Sequence, residues 1–498
     1  MFLLSALIDG NQVAGDKTAL NQSLGNIEAS QLPLGDLNGC NYQVPKSTWG
    51  AITAFANLKS RLVIITPSSN IASKLEAEIV SFRGTSGIYT LPAWETLPFE
   101  KIKPRVSTIA QRAIAIQNLI SGKAEILIIP IKAALSPISN TLIEKKPISL
   151  NNKSKIEFEN LITALVNFGY ERVDLVESRG EFAVRGGLVD IYLADQEMPI
   201  RIDFFGEEVE ELYFFDLADQ RSTEKVEGSI NIYPIIEDIQ KGKFKYLTEL
   251  LSSEYQLIFL DKDRIRSRAL DFRSTNQEFY ESNWSNLAWN ENLEVMGDLI
   301  PKDFTPEDFW ILDDLENKIN QSEIPWFTLS NYEIEDGKKI ELKEIPNFEG
   351  NLEKFISYLK KHFENQYKIL LTAAGKGTIE RYQDLLREHD LPEKYLNKGY
   401  LAENIINLAL ANFQNGFIDE INQRLVITEN DIFSARVVGK NLEKLPSRRK
   451  KSIDPLELKN GDYVVHEQHG IGKFVELARR QVGGIDREYL VIEYAPSK

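Results

Sequence analysis

The sequence is poor in cysteine, methionine and histidine. Its 498 residues contain one cysteine, three methionines and four histidines. The lone Cys40 excludes an intramolecular disulfide framework and is typical of a reducing compartment, so we expect a cytoplasmic protein. Without a second thiol or a paired histidine in view, Cys40 is expected to be a buried or incidental thiol rather than a nucleophile.

Long apolar runs and an excess of positive charge are also missing. No uninterrupted apolar run approaches about 18 residues, so we expect neither a signal peptide nor a membrane span. The net charge is -16 and the pI is about 5.0, which argues against nucleic-acid wrapping as the main function. Hydrophobic residues make up 43% of the chain, enough for several folded cores, and the length predicts three to five domains.

Two segments predict α/β domains with parallel sheets. Arg61–Thr66 leads into SNIASKLEAEIVSF, and Lys368–Thr372 leads into GKGTIERYQDLLREH. Each is an apolar strand, a short loop and an amphipathic helix, which is the opening of a strand–helix–strand unit. The runs AEILIIP (124–130) and RLVIT (424–428) are predicted to be further central strands of the same two sheets.

Neither α/β segment has a complete phosphate-binding loop. Such a loop needs G-x-x-x-x-G-K-[ST], because the glycines expose N–H groups and the Lys and Ser/Thr serve phosphate and magnesium. Before Leu62, Lys46-Ser47 imitates the end of the motif, but Pro45 removes an N–H and the glycines are absent. In Gly375–Thr378, Gly377 separates the Lys from the Thr. We therefore expect no nucleotide cofactor and no catalytic residue in this chain.

The segment His466–His469 is the best candidate for a metal site in the sequence, but its spacing does not match a known metal motif. A zincin helix needs histidines at i and i+4 with a Glu between them, whereas these histidines are at i and i+3. Val464-Val465 before them and Gly470 after them favour a strand that runs into a turn. No metal ligand is predicted.

The segment from Glu177 to Ser222 predicts a meander of short antiparallel strands. Apolar and polar residues alternate through Phe182–Val184, Leu188–Tyr192 and Ile200–Phe205, with glycines at the turns. Arginines recur beside aromatic residues here, in an otherwise acidic chain. Because Arg and aromatic residues are enriched at binding hot spots, the pattern suggests a protein-binding surface. An ordinary small sheet with surface ion pairs is the alternative.

The same segment resembles a module shared by the UvrB and Mfd families, the second being the transcription-repair coupling factors. The resemblance rests on SRGEFAVRGGLVDIY, PIRIDFFGEEVEEL and FDLADQRS. LPAWETLPFE (91–100), GFIDEINQRLVITENDIF (416–433), and GDYVVHEQHGIGKF with GGIDREYLVIEYA (461–495) favour the coupling factors. A tyrosine-rich DNA-gripping hairpin of the UvrB kind has no counterpart after Arg105, which puts direct lesion binding in doubt.

The resemblance implies an adaptor that recruits repair enzymes to RNA polymerase stalled at DNA lesions. It implies UvrA binding through Arg185, Arg201 and Phe205, and binding of the RNA polymerase β subunit through Leu477, Val482, Leu490 and Ile492. A DNA-translocating motor, which would use ATP and magnesium and contact DNA, is expected beyond Lys498. The alternatives are a UvrB-like ATP-dependent damage-loading protein and a CarD-like transcription regulator.

The expected fold class is a multidomain α/β protein with an inserted antiparallel β module, a degenerate P-loop-type domain and a partial small β-barrel. The predicted domains are 1–146 (degenerate UvrB-like α/β domain, first part), 147–233 (UvrA-binding β module), 234–325 (second part of the UvrB-like domain), 326–435 (second α/β domain), 436–457 (basic linker) and 458–498 (partial CarD-like RNA polymerase-interacting domain).

Overall fold

The computed structural model describes residues 39–56, 61–96, 104–237, 239, 243–287, 305–332, 337–340, 342–396, 401–433, 461, 463–466, 470–482 and 485–494. The predicted linker, 436–457, lies outside these ranges. The strands, numbered in chain order, are β1 Cys40–Gln43, β2 Arg61–Thr66, β3 Ile88–Thr90, β4 Ile126–Pro130, β5 Ile138–Ser139, β6 Ile148–Asn151, β7 Glu171–Arg172, β8 Glu181–Arg185, β9 Leu188–Ile191, β10 Ile200–Phe205, β11 Glu208–Phe215, β12 Ser222–Lys225, β13 Ser229–Ile232, β14 Phe244–Lys245, β15 Tyr255–Leu260, β16 Trp326–Ser330, β17 Lys338–Lys339, β18 Leu342–Glu344, β19 Lys368–Ala373, β20 Glu393–Tyr395, β21 Ile406–Leu410, β22 Phe417–Asp419, β23 Arg424–Thr428, β24 Tyr463–His466, β25 Gly470–Val482 and β26 Ile485–Tyr494. The helices are α1 Trp49–Ala56, α2 Ser69–Arg83, α3 Val106–Ile120, α4 Ile131–Ala134, α5 Asn140–Glu144, α6 Phe158–Asn167, α7 Lys262–Leu287, α8 Leu312–Gln321, α9 Leu352–Glu364, α10 Lys376–Glu388 and α11 Glu429–Ile432.

The first α/β sheet has seven strands in the order β17-β1-β16-β15-β2-β4-β3, and all neighbouring pairs are parallel. The central strands β2, β4 and β15 are apolar runs buried along almost their whole length, as expected for a sheet covered by helices on both faces. Helix α2 begins where the Ser68 hydroxyl accepts the Ile71 N–H at 3.4 Å, and ends at Gly84, whose φ is +81°. The predicted strand–loop–helix order is confirmed, and run 124–130 contains β4, which lies between β2 and β3 as a further strand inside this sheet.

Strand β16 lies in this first sheet, although the sequence placed it at the start of a second α/β domain. It lies between β1 and β15, with Phe327 opposite both Cys40 and Ile258. The ring of Phe327 packs edge-on against Tyr42, with centroids 5.9 Å apart. A short apolar run does not specify which sheet it joins, and packing partners far away in the sequence decide. The second sheet begins at Leu342.

The inserted sheet has six strands in the order β12-β11-β10-β9-β8-β7. All its pairs are antiparallel except β7 with β8. Gly186 (φ +61°) and Gly206 (φ +66°) occupy left-handed turn positions between strands, as the glycine pattern predicts. Strands β6 and β13 pair antiparallel with each other, Ile148 opposite Ile232. The chain therefore enters and leaves the module through a two-stranded neck.

The second α/β sheet has the order β18-β22-β23-β19-β21-β20, and helix α10 follows β19 as predicted. Run 424–428 pairs parallel with β19, which confirms it as a central strand. Phe417 and Val426 of this sheet share one apolar core with Tyr42 and Leu62 of the first sheet. The two sheets are therefore packed together.

The C-terminal strands form a three-stranded antiparallel sheet, β24-β25-β26. In the described ranges these strands do not close into a barrel. The described helices include none that is both long enough and apolar enough to cross a lipid bilayer.

Candidate functional site

The inserted sheet has two faces with different chemistry. On the inner face, alternate residues of the four central strands, β8 to β11, pack against helix α6 and its flanks, and Phe182, Val189 and Ile202 among them are fully buried. The intervening residues point to the opposite side, which we call the outer face. Arg185, Arg201 and Phe205 all lie on this outer face.

Strand register brings these three residues together. Arg201 lies opposite Asp190 on one side and Tyr213 on the other. Two pairs further along, Asp203 lies opposite Leu188, which in turn is the partner of Arg185. Directly opposite residues share a face, so Arg185 is aligned with Asp203 two strands away. Arg201 is two residues before Asp203 on the same strand, and Phe205 is two residues after it.

The guanidinium of Arg201 is already engaged within the sheet. Its Nε donates to Oδ1 of Asp190 at 2.7 Å and its Nη2 donates to Oδ2 at 2.8 Å. The hydrogen bonds that Arg201 donates to Asp190 raise the pKa of Arg201, and the centre of the Phe215 ring lies 5.1 Å from the guanidinium carbon. The side chains of Arg201 and Asp190 are 15% and 3% exposed. Arg201 therefore holds strands together as well as facing outward.

Phe205 is the most prominent apolar group of the outer face. It precedes the turn residue Gly206 and is 79% exposed. Arg185 is also exposed, at the adjacent hairpin, and its Nη2 donates to the Asp174 carbonyl at 3.1 Å. An exposed aromatic ring and an exposed guanidinium on the same face are a chemical combination typical of binding hot spots.

The rest of the outer face divides into a covered end and a charged end. Val176, Ala183, Tyr192 and Phe215 form a small buried cluster at the covered end. At the charged end, Glu211 pairs with Lys225 and accepts a hydrogen bond from Tyr213, which lowers the pKa of Glu211. Asp190 was not singled out in the sequence. The acid of VDI lies opposite the arginine of IRI, but this pairing can be recognised only once the strand register is known.

The loop after β1 occupies the position of a phosphate-binding loop. Pro45 caps a single 3-10 turn, Lys46–Thr48, which leads into α1. The ammonium of Lys46 lies 5.8 Å from the centre of the Trp49 ring. In the second sheet, Gly375 is the N-cap residue of α10. Both loops therefore lie between a strand and a helix, as the sequence predicts. Neither has the full residue pattern of a phosphate-binding loop.

Trp94 packs against the first α/β core. Its Nε1 donates to Oε2 of Glu237 at 2.8 Å. Further along, Val106 begins helix α3, which leads into β4. Within the ranges the structure describes, no group of three or more His, Cys, Asp or Glu side chains could hold a metal. His466 ends β24, and His469 lies outside the described residues.

The four predicted polymerase contacts lie on β25 and β26. Leu477 is paired with Leu490, Val482 with Ile485, and Ile492 with Phe474. The backbone pairing brings Leu477, Leu490 and Ile492 close along one ribbon. The side chains of all four predicted residues lie outside the described part of the structure.

Three segments of the chain match known protein domains. Residues 148–237 match the UvrB interaction domain, residues 358–432 the MFD, D3 domain, and residues 458–498 the CarD-like/TRCF RID domain. The chain thus combines, in one polypeptide, a UvrB-type interaction domain with a CarD-like domain. The first match includes the whole outer face.

Similar curated proteins include transcription-repair-coupling factors. Those of Mycobacterium tuberculosis, Haemophilus influenzae and Escherichia coli are 29%, 24% and 23% identical over 88%, 87% and 87% of this chain. The matched regions are 40%, 41% and 41% of those proteins, so the chain spans about two fifths of the length of its relatives. These matches confirm the resemblance to the N-terminal region of the coupling factors, Mfd.

Proposed function

We propose that this chain is the adaptor portion of a transcription-repair coupling factor. In this proposal its inserted sheet binds UvrA and residues 458–498 contact the β subunit of RNA polymerase as a partial CarD-like barrel. Two parts of a degenerate UvrB-like α/β domain and a second α/β domain form the scaffold. The ATP- and magnesium-dependent translocation of DNA belongs to a motor outside these 498 residues.

The observation that supports UvrA binding most strongly is the exposure of Phe205. Phe205 is 79% exposed. Complete burial of such a side chain by a partner contributes about 1.5–3 kcal/mol of favourable hydrophobic free energy. Arg185 lies at the next hairpin and offers planar, two-pronged contacts to partner carboxylates. Arg201 lies on the same face, where its ion pair with Asp190 joins strands β9 and β10.

The test is binding of the full chain to UvrA by biolayer interferometry, with wild type and Phe205→Ala. We expect the Phe205→Ala variant to bind about 30-fold more weakly, which corresponds to a loss of roughly 2 kcal/mol. Leu270→Ala is the matched control, because Leu270 is 63% exposed on helix α7 outside the inserted sheet. Wild-type affinity of the folded Phe205→Ala variant would refute the assignment.

A further inference from the structure

A cleft of about 220 Å³ lies between the two α/β sheets, beside the degenerate phosphate loop. Lys46, Lys74 and Glu78 line it from the first sheet and its helices. Glu344, Gln414 and Asp431 line it from the second. The coupling-factor function proposed above uses none of these residues.

Glu78 is the group that joins the two sides of this cleft. It lies on helix α2 and is only 7% exposed. Its Oε1 accepts the N–H of Gln414 at 3.3 Å, and its carboxylate also accepts the N–H of Gly50. Gly50 belongs to the first α/β unit and Gln414 to the second, so one carboxylate takes a backbone donor from each.

The surroundings of Glu78 are closely fitted. A Cβ atom at Gly50 would lie 2.6 Å from both Cβ and Oε2 of Glu78, so only glycine allows this approach. One helical turn further on, the Ser81 hydroxyl accepts the N–H of Asn412 at 3.0 Å. Helix α2 therefore holds the loop 411–416 of the second unit at two points.

Four charged groups surround Glu78 across the cleft. Lys46 and Lys74 favour its ionised form, while Glu344 and Asp431 line the same space with acidic groups. Asp431 accepts the N–H groups of Gly416 and Thr428, each at 2.8 Å. Burial outweighs the two backbone hydrogen bonds and the two lysines, and raises the pKa of Glu78 to about 7.

We propose that Glu78 is a proton-linked joint that controls how tightly the second α/β unit closes on the first. The neutral acid tolerates burial at this position, whereas ionisation of Glu78 weakens the closed arrangement around residues 411–416. None of the residues that line this cleft belongs to the inserted sheet or to residues 458–498.

The direction of the pH effect follows from the two states of the carboxyl group. In the open state Glu78 is hydrated and titrates near its ordinary pKa of 4.5, whereas in the closed state its pKa is raised to about 7. Closure therefore binds a proton between these values. The stabilisation is complete below the ordinary pKa, declines as pH rises, and is lost once pH passes the raised pKa.

The test is hydrogen exchange by mass spectrometry on the full chain from pH 5 to pH 7.5, corrected for intrinsic exchange rates. We expect protection of residues 411–417 to fall by up to about tenfold per pH unit and to level off near pH 7. In Glu78→Gln, protection should vary little with pH and exceed that of wild type at pH 7.5. Glu76→Gln, a change on the same helix outside the cleft lining, should keep the wild-type profile.

Three results would overturn the proposal. A flat profile in the wild type shows that closure takes up no proton. A Glu78→Gln profile as steep as the wild-type profile assigns the proton to another group. Loss of protection in Glu78→Gln at every pH, with strand β19 still protected, shows that the joint requires the charge.

Discussion

Arg112 and Glu237 form a fully buried, two-pronged ion pair across 125 residues of sequence. The Nε–Oε2 distance is 2.7 Å, the Nη2–Oε1 distance is 2.9 Å, and the two side chains are 0% and 1% exposed. Trp94 donates to the same carboxylate, and Arg112 also donates to the Pro92 carbonyl at 2.8 Å. Since Glu237 follows the inserted module, this pair ties the chain leaving the module to helix α3 and the loop containing Trp94.

We predict that Arg112→Ala lowers the free energy of unfolding by about 3–5 kcal/mol, because it leaves a buried carboxylate without its partner. Urea denaturation of the full chain, followed by circular dichroism, measures the change. Arg221→Ala is the control: Arg221 is 85% exposed and lies 4.0 Å from Asp219, so its removal should cost no more than about 0.5 kcal/mol. Equal effects of the two substitutions would contradict the structural role of Arg112.

The Arg201–Asp190 pair predicts a second stability effect, distinct from partner binding. Arg201→Ala should lower the free energy of unfolding by about 2 kcal/mol or more, because it leaves the carboxylate of Asp190 buried and unpaired. Removing both groups in Asp190→Ala/Arg201→Ala should cost less than the sum of the two single changes. Additive losses would show that the pair is not coupled.

This coupling affects how the proposed UvrA binding is measured. The sequence resemblance predicts that Arg201→Ala weakens UvrA binding by roughly 2 kcal/mol. Part of that loss would reflect rearrangement of the outer face, so the binding comparison needs a folded, double-substituted reference. Because Phe205 is exposed, its replacement tests UvrA binding with less effect on the stability of the sheet.

The loop after β1 predicts that the purified chain binds no ATP and hydrolyses none. Pro45 has no N–H to offer, and the glycines that would present an N–H nest to phosphates are absent. Isothermal titration with ATP and magnesium should therefore show no saturable heat. Saturable, magnesium-dependent binding at micromolar ATP would sink this prediction.

The sequence predicts local strand patterns better than their partners. Alternation in Ile200–Phe205 and the glycines at 186 and 206 predict the inserted meander, because both signals are local. The position of Trp326–Ser330 could not be derived, since a five-residue apolar run fits either sheet. The roles of Glu78 and Asp190 depend on contacts with distant segments, so no local pattern marks these residues as special.

The interrupted first sheet has a consequence for the order of folding. Strand β2 ends at Thr66 but pairs with β15, which begins at Tyr255, and the whole inserted module lies between them in the chain. The module's hairpins join neighbours in sequence and close small loops, whereas the β2–β15 pairing closes a very long one. During synthesis, the inserted sheet can therefore form before the α/β sheet that supports it is complete.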